Sequence, residues 1–404
     1  MKKLLAIMLT LIMVTSCVAC TSSDTSSSSQ VATTAATTTA QAASADDDLE
    51  TLDWVDYKEY NLEEDVPVKN IILMIGDGMG ENIIKASEVV KGDKLVMSGM
   101  PHKTYVTTHS VSVEKGYADF TDSAASATAI STGVKTLNSY IGVDENENKL
   151  ETICEFAMNK GLKTGLVARH YVCHATPAGM VAHNNSRNNY QKILREMINS
   201  GVNVMFGGGG QYYKDSKKTR TTVEENNYKY ITTEEELLAL EGNEEKVLGM
   251  FAFDNMGSAT HNPQLPVMTE KALELLDNEN GFFLMVEGSN IDVYAAQENM
   301  PETLEQMKSF DASVDYVLSW AEQHPGTLVI VTADHETGGV EVPENAKPED
   351  ITNDCFTSDG EHTNTNVLLM ASGANSKGIC EQELIDNTDI AKYMRKVLEE
   401  SHAD

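Results

Sequence analysis

The chain has 404 residues, 41% of them hydrophobic and only 9 of them proline, enough apolar material for one large domain or two modest ones. Its 62 acidic and 30 basic residues give a formal charge of −32, and a surface of that sign repels nucleic acid and anionic lipid. A fibrous protein and a nucleic-acid binder are thereby excluded, and the basic cluster Lys214, Lys217, Lys218 and Arg220 reads as a solvated loop.

At the N-terminus, Lys2 and Lys3 precede the apolar run Leu4 to Val14, which is too short for a stable membrane span but suits the core of a secretory signal. Residues 1–16 are therefore expected to direct export. The run closes on Val14-Thr15-Ser16-Cys17, which resembles the lipobox of bacterial lipoproteins; Cys20 is the second candidate for lipidation. The expected location is outside the cytoplasm, lipid-anchored at Cys17 on the outer face of the cell membrane or secreted. Residues 17–65 read as a tether, rich in Ser, Thr and Ala and then acidic, because such a composition cannot offset its ordering entropy by burial. The domain is expected over 66–404. It contains Cys154, Cys173, Cys355 and Cys380, which could pair in three ways or remain buried thiols.

From Lys69 onward, short apolar runs alternate with amphipathic stretches. The segments 71–75, 164–168, 203–206, 282–286, 327–332 and 366–370 read as buried strands, and 150–160, 190–200, 268–278, 304–323 and 388–400 have helical apolar spacing. This alternation predicts an α/β fold, a three-layer α/β/α sandwich around a largely parallel sheet.

Three of these strands run directly into acidic residues: 71–75 into Asp77, 282–286 into Glu287 and Asp292, and 327–332 into Asp334 and His335. Ligands of an open parallel sheet bind beyond the carboxyl ends of its strands. One such Asp would be an ordinary helix cap or turn residue. Several delivered to one rim repel one another unless cations neutralise them, so the pattern points to a polynuclear metal site. Carboxylate with imidazole suits zinc, and an oxygen-rich subsite suits magnesium.

The stretch DSAASATAISTGVKT, residues 122–136, is Ala-rich and stops at Gly133, which predicts a short helix with Asp122 or Ser123 at its start. Its small side chains allow close approach to the sheet. A Ser in the first turn meets free N–H groups and the positive end of the helix dipole, a setting for phosphate, whereas Ser126 and Ser131 lie deeper. No GxSxG elbow is present, and no histidine base for Ser123 is evident, so a metal is the expected activator. The glycines 207–210 lack the GK[ST] of a P-loop and read as a turn. Asp144 to Asn148 spaces oxygens like a calcium loop but has Lys149 where glycine is required. His109, His170, His183, His261 and His324 have no motif partner and are read as structural or surface residues.

Over nearly all of 69–400 the sequence resembles the alkaline phosphatase family. The matching stretches are NIILMIGDGMG (70–80), TDSAASATAISTGVKT (121–136), HATPAGMVAH with Arg187 (174–187), VEGSNID (286–292), VTADHETGG (331–339) and EHT (361–363). The resemblance implies a site with two zinc ions and one magnesium. In it Ser123 would form a phosphoseryl intermediate, and Arg187, beside Asp122, would clamp two phosphate oxygens. One zinc would be held by Asp77, Asp334 and His335. The magnesium would share Asp77 and be ringed by Thr176, Glu287 and His174. The other zinc would take Asp292 and His362 with a histidine four residues after that Asp, where this chain has Ala296. Tyr294, Asn299 and Glu361 are the nearby residues that could approach the vacant position.

The implied activity is phosphate monoester hydrolysis on small substrates, without nucleic acid and with the membrane contacted by the lipid anchor only. The family is often dimeric, so a homodimer is an expectation with no interface legible in the sequence. Two alternatives stay open: a phosphodiesterase of the same superfamily, and a phosphate- or partner-binding lipoprotein with a defective metal site.

Overall fold

The computed structural model describes residues 51–401, so the signal segment, Cys17, Cys20 and the Ser/Thr/Ala-rich stretch lie outside the described residues. Twelve strands occur among the described residues: β1 (Asn70–Gly76), β2 (His102–Thr107), β3 (Lys163–Tyr171), β4 (Val204–Gly208), β5 (Lys229–Ile231), β6 (Val247–Met250), β7 (Phe282–Gly288), β8 (Thr327–Thr332), β9 (Glu336–Thr337), β10 (His362–Thr363), β11 (Val367–Gly373) and β12 (Leu384–Asp386). Ten form one sheet in the order β12-β2-β11-β8-β1-β7-β3-β4-β6-β5, and β9 pairs with β10 separately.

Every residue of β1, β7 and β8 is buried, which is why these strands read as continuous apolar runs and not as alternating ones. β1 lies parallel between β7 and β8, with Ile75 opposite both Glu287 and Thr332, so the carboxyl ends of the three central strands finish level. β11 runs antiparallel to both its neighbours, β8 and β2, while the remaining neighbouring pairs are parallel. Two sets of helices cover the sheet. Leu265–Leu276 packs with Met300–Glu322, and Ser123–Thr132 packs with Ala175–Gly179 and Asn387–Ser401.

The expected α/β architecture is the observed one, with additions at its margins. β2, β5, β6 and β12 were not legible as strands, nor was the helix Glu81–Lys91. Residues 51–65, expected as the end of the tether, instead run along the domain. The Leu52 amide donates to Glu305 Oε2 (2.8 Å) and the Tyr60 hydroxyl to Asp315 Oδ1 (2.7 Å), while Trp54, Val55 and Leu62 pack against the core. The four cysteines among the described residues are free thiols, and burial pushes those of Cys154 and Cys173 well up, which makes both unreactive. No helix of the described residues is long and apolar enough to cross a membrane.

Candidate active site and metal centre

Asp122 is the N-cap of the helix Ser123–Thr132, accepting from the Ala125 amide at 3.0 Å through Oδ1. Its other oxygen accepts from the Ser139 amide (2.9 Å) and from Arg187 Nη1 (3.0 Å). Ser123 therefore occupies the first helical position, only 2% exposed. The helix can lie this deep because its side chains are small: a Cβ built on Gly179 would meet Ala127 Cβ at 2.7 Å. Gly133 ends it in the left-handed region at φ 77°, returning its amide to Ala129. Ser126 donates to the Asp334 carbonyl (2.6 Å) and Ser131 accepts from the Ile153 amide (3.2 Å), so both hydroxyls are spent on packing.

Across from Ser123 the ends of β1, β7 and β8 deliver Asp77, Glu287, Asp334 and His335, all buried. His335 Nε2 lies 3.2 Å from Ser123 Oγ, 3.5 Å from Asp77 Oδ1 and 3.4 Å from Asp334 Oδ2. The fold thus supplies a histidine beside Ser123 where no base was evident in the sequence. It does not make a hydrolase triad, because both carboxylates crowd the nitrogen that faces the serine and none orients the other one.

Three groups of side chains have ligand atoms within 4.8 Å of one another: Asp77, Asp334 and His335; Asp77, His174 and Glu287; and Asp292, His335 and His362. His174 is the N-cap of the helix Ala175–Gly179, which also carries Thr176. The fit to cations is tested by the polar atoms left over. Asp77 Oδ1, Asp334 Oδ2, both oxygens of Glu287, Thr176 Oγ1 and His174 Nδ1 are buried without a hydrogen-bond partner. Burying four unpaired carboxylate oxygens is costly unless something positive meets them. The titration behaviour agrees. Burial, then the charges of Asp334, Asp292 and Glu287, push the Asp77 carboxyl well above its ordinary range, and burial pushes Glu287 up to about 7. Burial likewise holds His174 and His335 below the usual histidine value, so both offer neutral nitrogens suited to ligation.

The third group is built differently. Asp292 sits in the short helix Asn290–Ala295, and His362 arrives on β10, with Nε2 3.5 Å from Asp292 Oδ1 and Nδ1 2.9 Å from the Thr121 carbonyl. The two side chains are partly exposed, 20% and 24%, at the mouth of the site. Burial works against the charge of His362, but Asp292 outweighs it and pushes the imidazole up to about 9; burial also opposes the charge of Asp292, which His362 and His335 nevertheless hold well below the carboxylate range. Ala296 is exposed at the C-cap of that helix, its amide bonded to the Asp292 carbonyl, so position 296 lies one turn above Asp292 on the same face. Asn299 does not replace it. The helix stops at Ala295, and the Asn299 side chain instead caps Met300–Glu322 by accepting from Glu302 (3.3 Å). Glu361 is exposed. His335, not a residue near Ala296, is the third member of this group, and its Nε2 already faces the Asp77 side.

Arg187 lies in a turn, its own amide donating to the Ser139 carbonyl (2.8 Å), and it places Nη1 on Asp122 and Nη2 3.3 Å from His174 Nε2. Burial disfavours its charge, but Asp122 more than compensates and its pKa is raised. The glycines 207–210 end β4 and open the helix Gly210–Lys214, as a turn should. Some of the site was missed in the sequence. His170 stacks on His174 with ring centres 4.1 Å apart, and Thr337 touches both Asp292 and His335. Neither residue carries a local signal, since each depends on where a distant loop returns.

A parallel sheet with a serine, an arginine and overlapping carboxylate and imidazole groups at its carboxyl rim defines a metal-dependent enzyme of the α/β class. A family model for alkaline phosphatase matches residues 68–353. Alkaline phosphatase of Escherichia coli (strain K12) is 32% identical over 410 residues, covering 83% of this chain and 87% of its own. Alkaline phosphatase 4 of Bacillus subtilis (strain 168) is 35% identical over 301 residues, 70% of this chain and 65% of the relative's length. The cold-active alkaline phosphatase of Shewanella sp. superposes with a TM-score of 0.74 at 29% identity, over 81% of this chain and 99% of that one. The chain belongs to the alkaline phosphatase family.

Proposed function

We propose that the chain is an exported, metal-dependent phosphate monoester hydrolase that works through a phosphoseryl intermediate on Ser123 and releases inorganic phosphate. The observation that carries this reading is the placement of Ser123 Oγ within 3.2 Å of His335, with Arg187 held beside it on Asp122. Asp77, Asp334 and His335 would hold one zinc, Asp77, Glu287, Thr176 and His174 the magnesium, and Asp292 with His362 the second zinc. Bound there, the cations would lower the pKa of a coordinated hydroxyl or water and offset the charge of the phosphate.

The chain's own groups do the rest. Arg187 presents a planar fork to two non-bridging oxygens, and its tie to Asp122 fixes the direction of that fork. The free amides of the first helical turn add positive potential at the same point. Ser123 Oγ bonds to phosphorus as the ester oxygen departs and leaves as the alcohol with a proton. Water then bonds to phosphorus, the Ser123 oxygen is released and regains its proton, and phosphate is freed. A diester also has two non-bridging oxygens, so the clamp fits either ester, and the preference for a monoester is supported by the family comparisons. Export and a lipid anchor at Cys17 are supported by the basic and apolar opening and by the lipobox-like run, and a strongly acidic surface does not favour nucleic acid.

The test is turnover of an aryl phosphate against a bis-aryl phosphodiester, before and after removal of metal by chelation and dialysis. Monoester hydrolysis at least about 100-fold faster than diester hydrolysis, lost with the metal and restored by zinc and magnesium, is expected. Faster diester hydrolysis would make the chain a phosphodiesterase. Tight phosphate binding without turnover would make it a binding lipoprotein.

A further inference from the structure

Thr337 is fully buried and makes more contacts to the site than any role as a strand residue requires. Its hydroxyl donates to Asp292 Oδ1 at 2.5 Å and lies 3.2 Å from His335 Nδ1. A hydroxyl has one proton. If that proton goes to the carboxylate, which can only accept, the oxygen must receive the proton of His335 Nδ1. His335 is then held as the Nδ1–H tautomer, and its Nε2 lone pair is bare toward Ser123, Asp77 and Asp334. The backbone locks the arrangement. The Thr337 amide donates to the Gly78 carbonyl (3.1 Å), and Thr337 pairs with His362 across the β9–β10 ribbon. Beside it, Glu336 accepts from the Thr363 hydroxyl, closing the same ribbon. Gly78 leaves the necessary space: at its φ of 70° a Cβ would stand 2.6 Å from Thr337 Oγ1 and 3.0 Å from the Asp292 Cα.

We propose that Thr337 is a positioning residue that couples the Asp77–Asp334–His335 subsite to the Asp292–His362 subsite through one hydroxyl, orienting the Asp292 carboxylate on one side and fixing the ligating tautomer of His335 on the other. The inference rests on the metalloenzyme reading above. It also accounts for how Asp292 and His362 can be held in register with Ala296 in place of an imidazole, since the ribbon and the Thr337 hydroxyl supply orientation that a third ligand would otherwise give. Partners of this kind fix ring orientation and ligand basicity, and their loss costs about 10–100-fold in metal affinity.

The experiment compares the full chain with Thr337→Val, which keeps the shape and deletes the hydroxyl, and Thr337→Ser, which keeps the hydroxyl. Two readouts are taken without substrate: zinc affinity by chelator competition, and the tautomer of His335 by long-range proton–nitrogen correlation on protein labelled with ¹⁵N-histidine, its signal assigned with His335→Gln. The valine variant is expected to bind its weakest zinc about 10–100-fold less tightly and to lose the hydrogen-bonded Nδ1–H signal, while the serine variant restores both. Should the valine variant fail to fold, Thr337→Ala takes its place. Unchanged affinity and an unchanged His335 signal in a folded variant overturn the role of Thr337 and leave the phosphatase reading intact. A native chain that holds no zinc or magnesium overturns that reading and this inference together.

Discussion

Arg187 and Ala296 give the sharpest tests at the scale of single residues. Removing the Arg187 side chain deletes a charged, two-pronged contact, and hydrogen bonds to charged groups contribute about 1.5–3 kcal/mol. Arg187→Ala is therefore expected to raise the inhibition constant for inorganic phosphate roughly 10- to 150-fold. The Asp122 cap survives the change, because the amides of Ala125 and Ser139 still hold its oxygens, so thermal stability should fall little. Unchanged inhibition by phosphate would remove Arg187 from the binding site. At Ala296 the expected change is a gain. The position is exposed and one helical turn from Asp292, so Ala296→His can reach the same space without repacking the core. Metal content after dialysis, read with rate against added zinc, should show a native chain that needs excess zinc and a histidine variant that retains one more equivalent. Two tightly held zinc ions in the native chain, with nothing gained in the variant, would mean that the existing residues already complete the subsite.

At the scale of elements, what could be read from sequence was set by how locally each signal is encoded. The central runs were legible as strands because burial on both faces selects a continuous apolar stretch, as in Ile71 to Ile75. β2 was not, because its exposure varies along the strand and Tyr105 is 39% exposed near the sheet's edge. The strand-end carboxylates were legible because parallel strands deliver their ends to one rim. The reuse of His335 by two ligand groups was not, since it depends on how β9 and β10 fold back over the rim. His183, read as a structural or surface residue without a motif partner, has a structural role that pins a loop to the helix Ile153–Asn159. Its Nε2 is 3.0 Å from Glu155 Oε1 and its Nδ1 2.7 Å from the Gly142 carbonyl. Burial opposes both charges, but each partner outweighs it, raising His183 and lowering Glu155. A raised histidine adds stability that is full below its unfolded value of about 6.5 and is lost as pH climbs through the folded value. A lowered glutamate adds stability present above about 4.3 and lost as pH falls through its folded value. Glu155→Gln keeps the capping-box bond to Thr152 but not the charge. Its stability, read from the melting temperature, should fall furthest below the native one between those limits, by at most about 1 kcal/mol, with the gap closing in alkali. A gap that keeps widening as pH rises above about 6.5 and into alkali would contradict the ion pair.

For the whole molecule, a chain of formal charge −32 buries carboxylate oxygens of Asp77, Glu287 and Asp334 without hydrogen-bond partners at one rim of its sheet, an arrangement that cations would neutralise. The level ends of β1, β7 and β8, the deep helix of small residues and the returning β9–β10 ribbon together bring Ser123, Arg187 and those carboxylates to one rim of the sheet. In the proposed reaction Ser123 takes the phosphoryl group, and this transfer can be observed. It is tested most directly by quenching the metal-loaded enzyme in acid during reaction with an aryl phosphate and locating the label by peptide mass spectrometry. One phosphoryl group on the Ser123 peptide, absent from Ser123→Ala together with most of the turnover, is the predicted result. A Ser123→Ala protein that still becomes labelled, or that keeps native turnover, would exclude Ser123 as the phosphoryl acceptor.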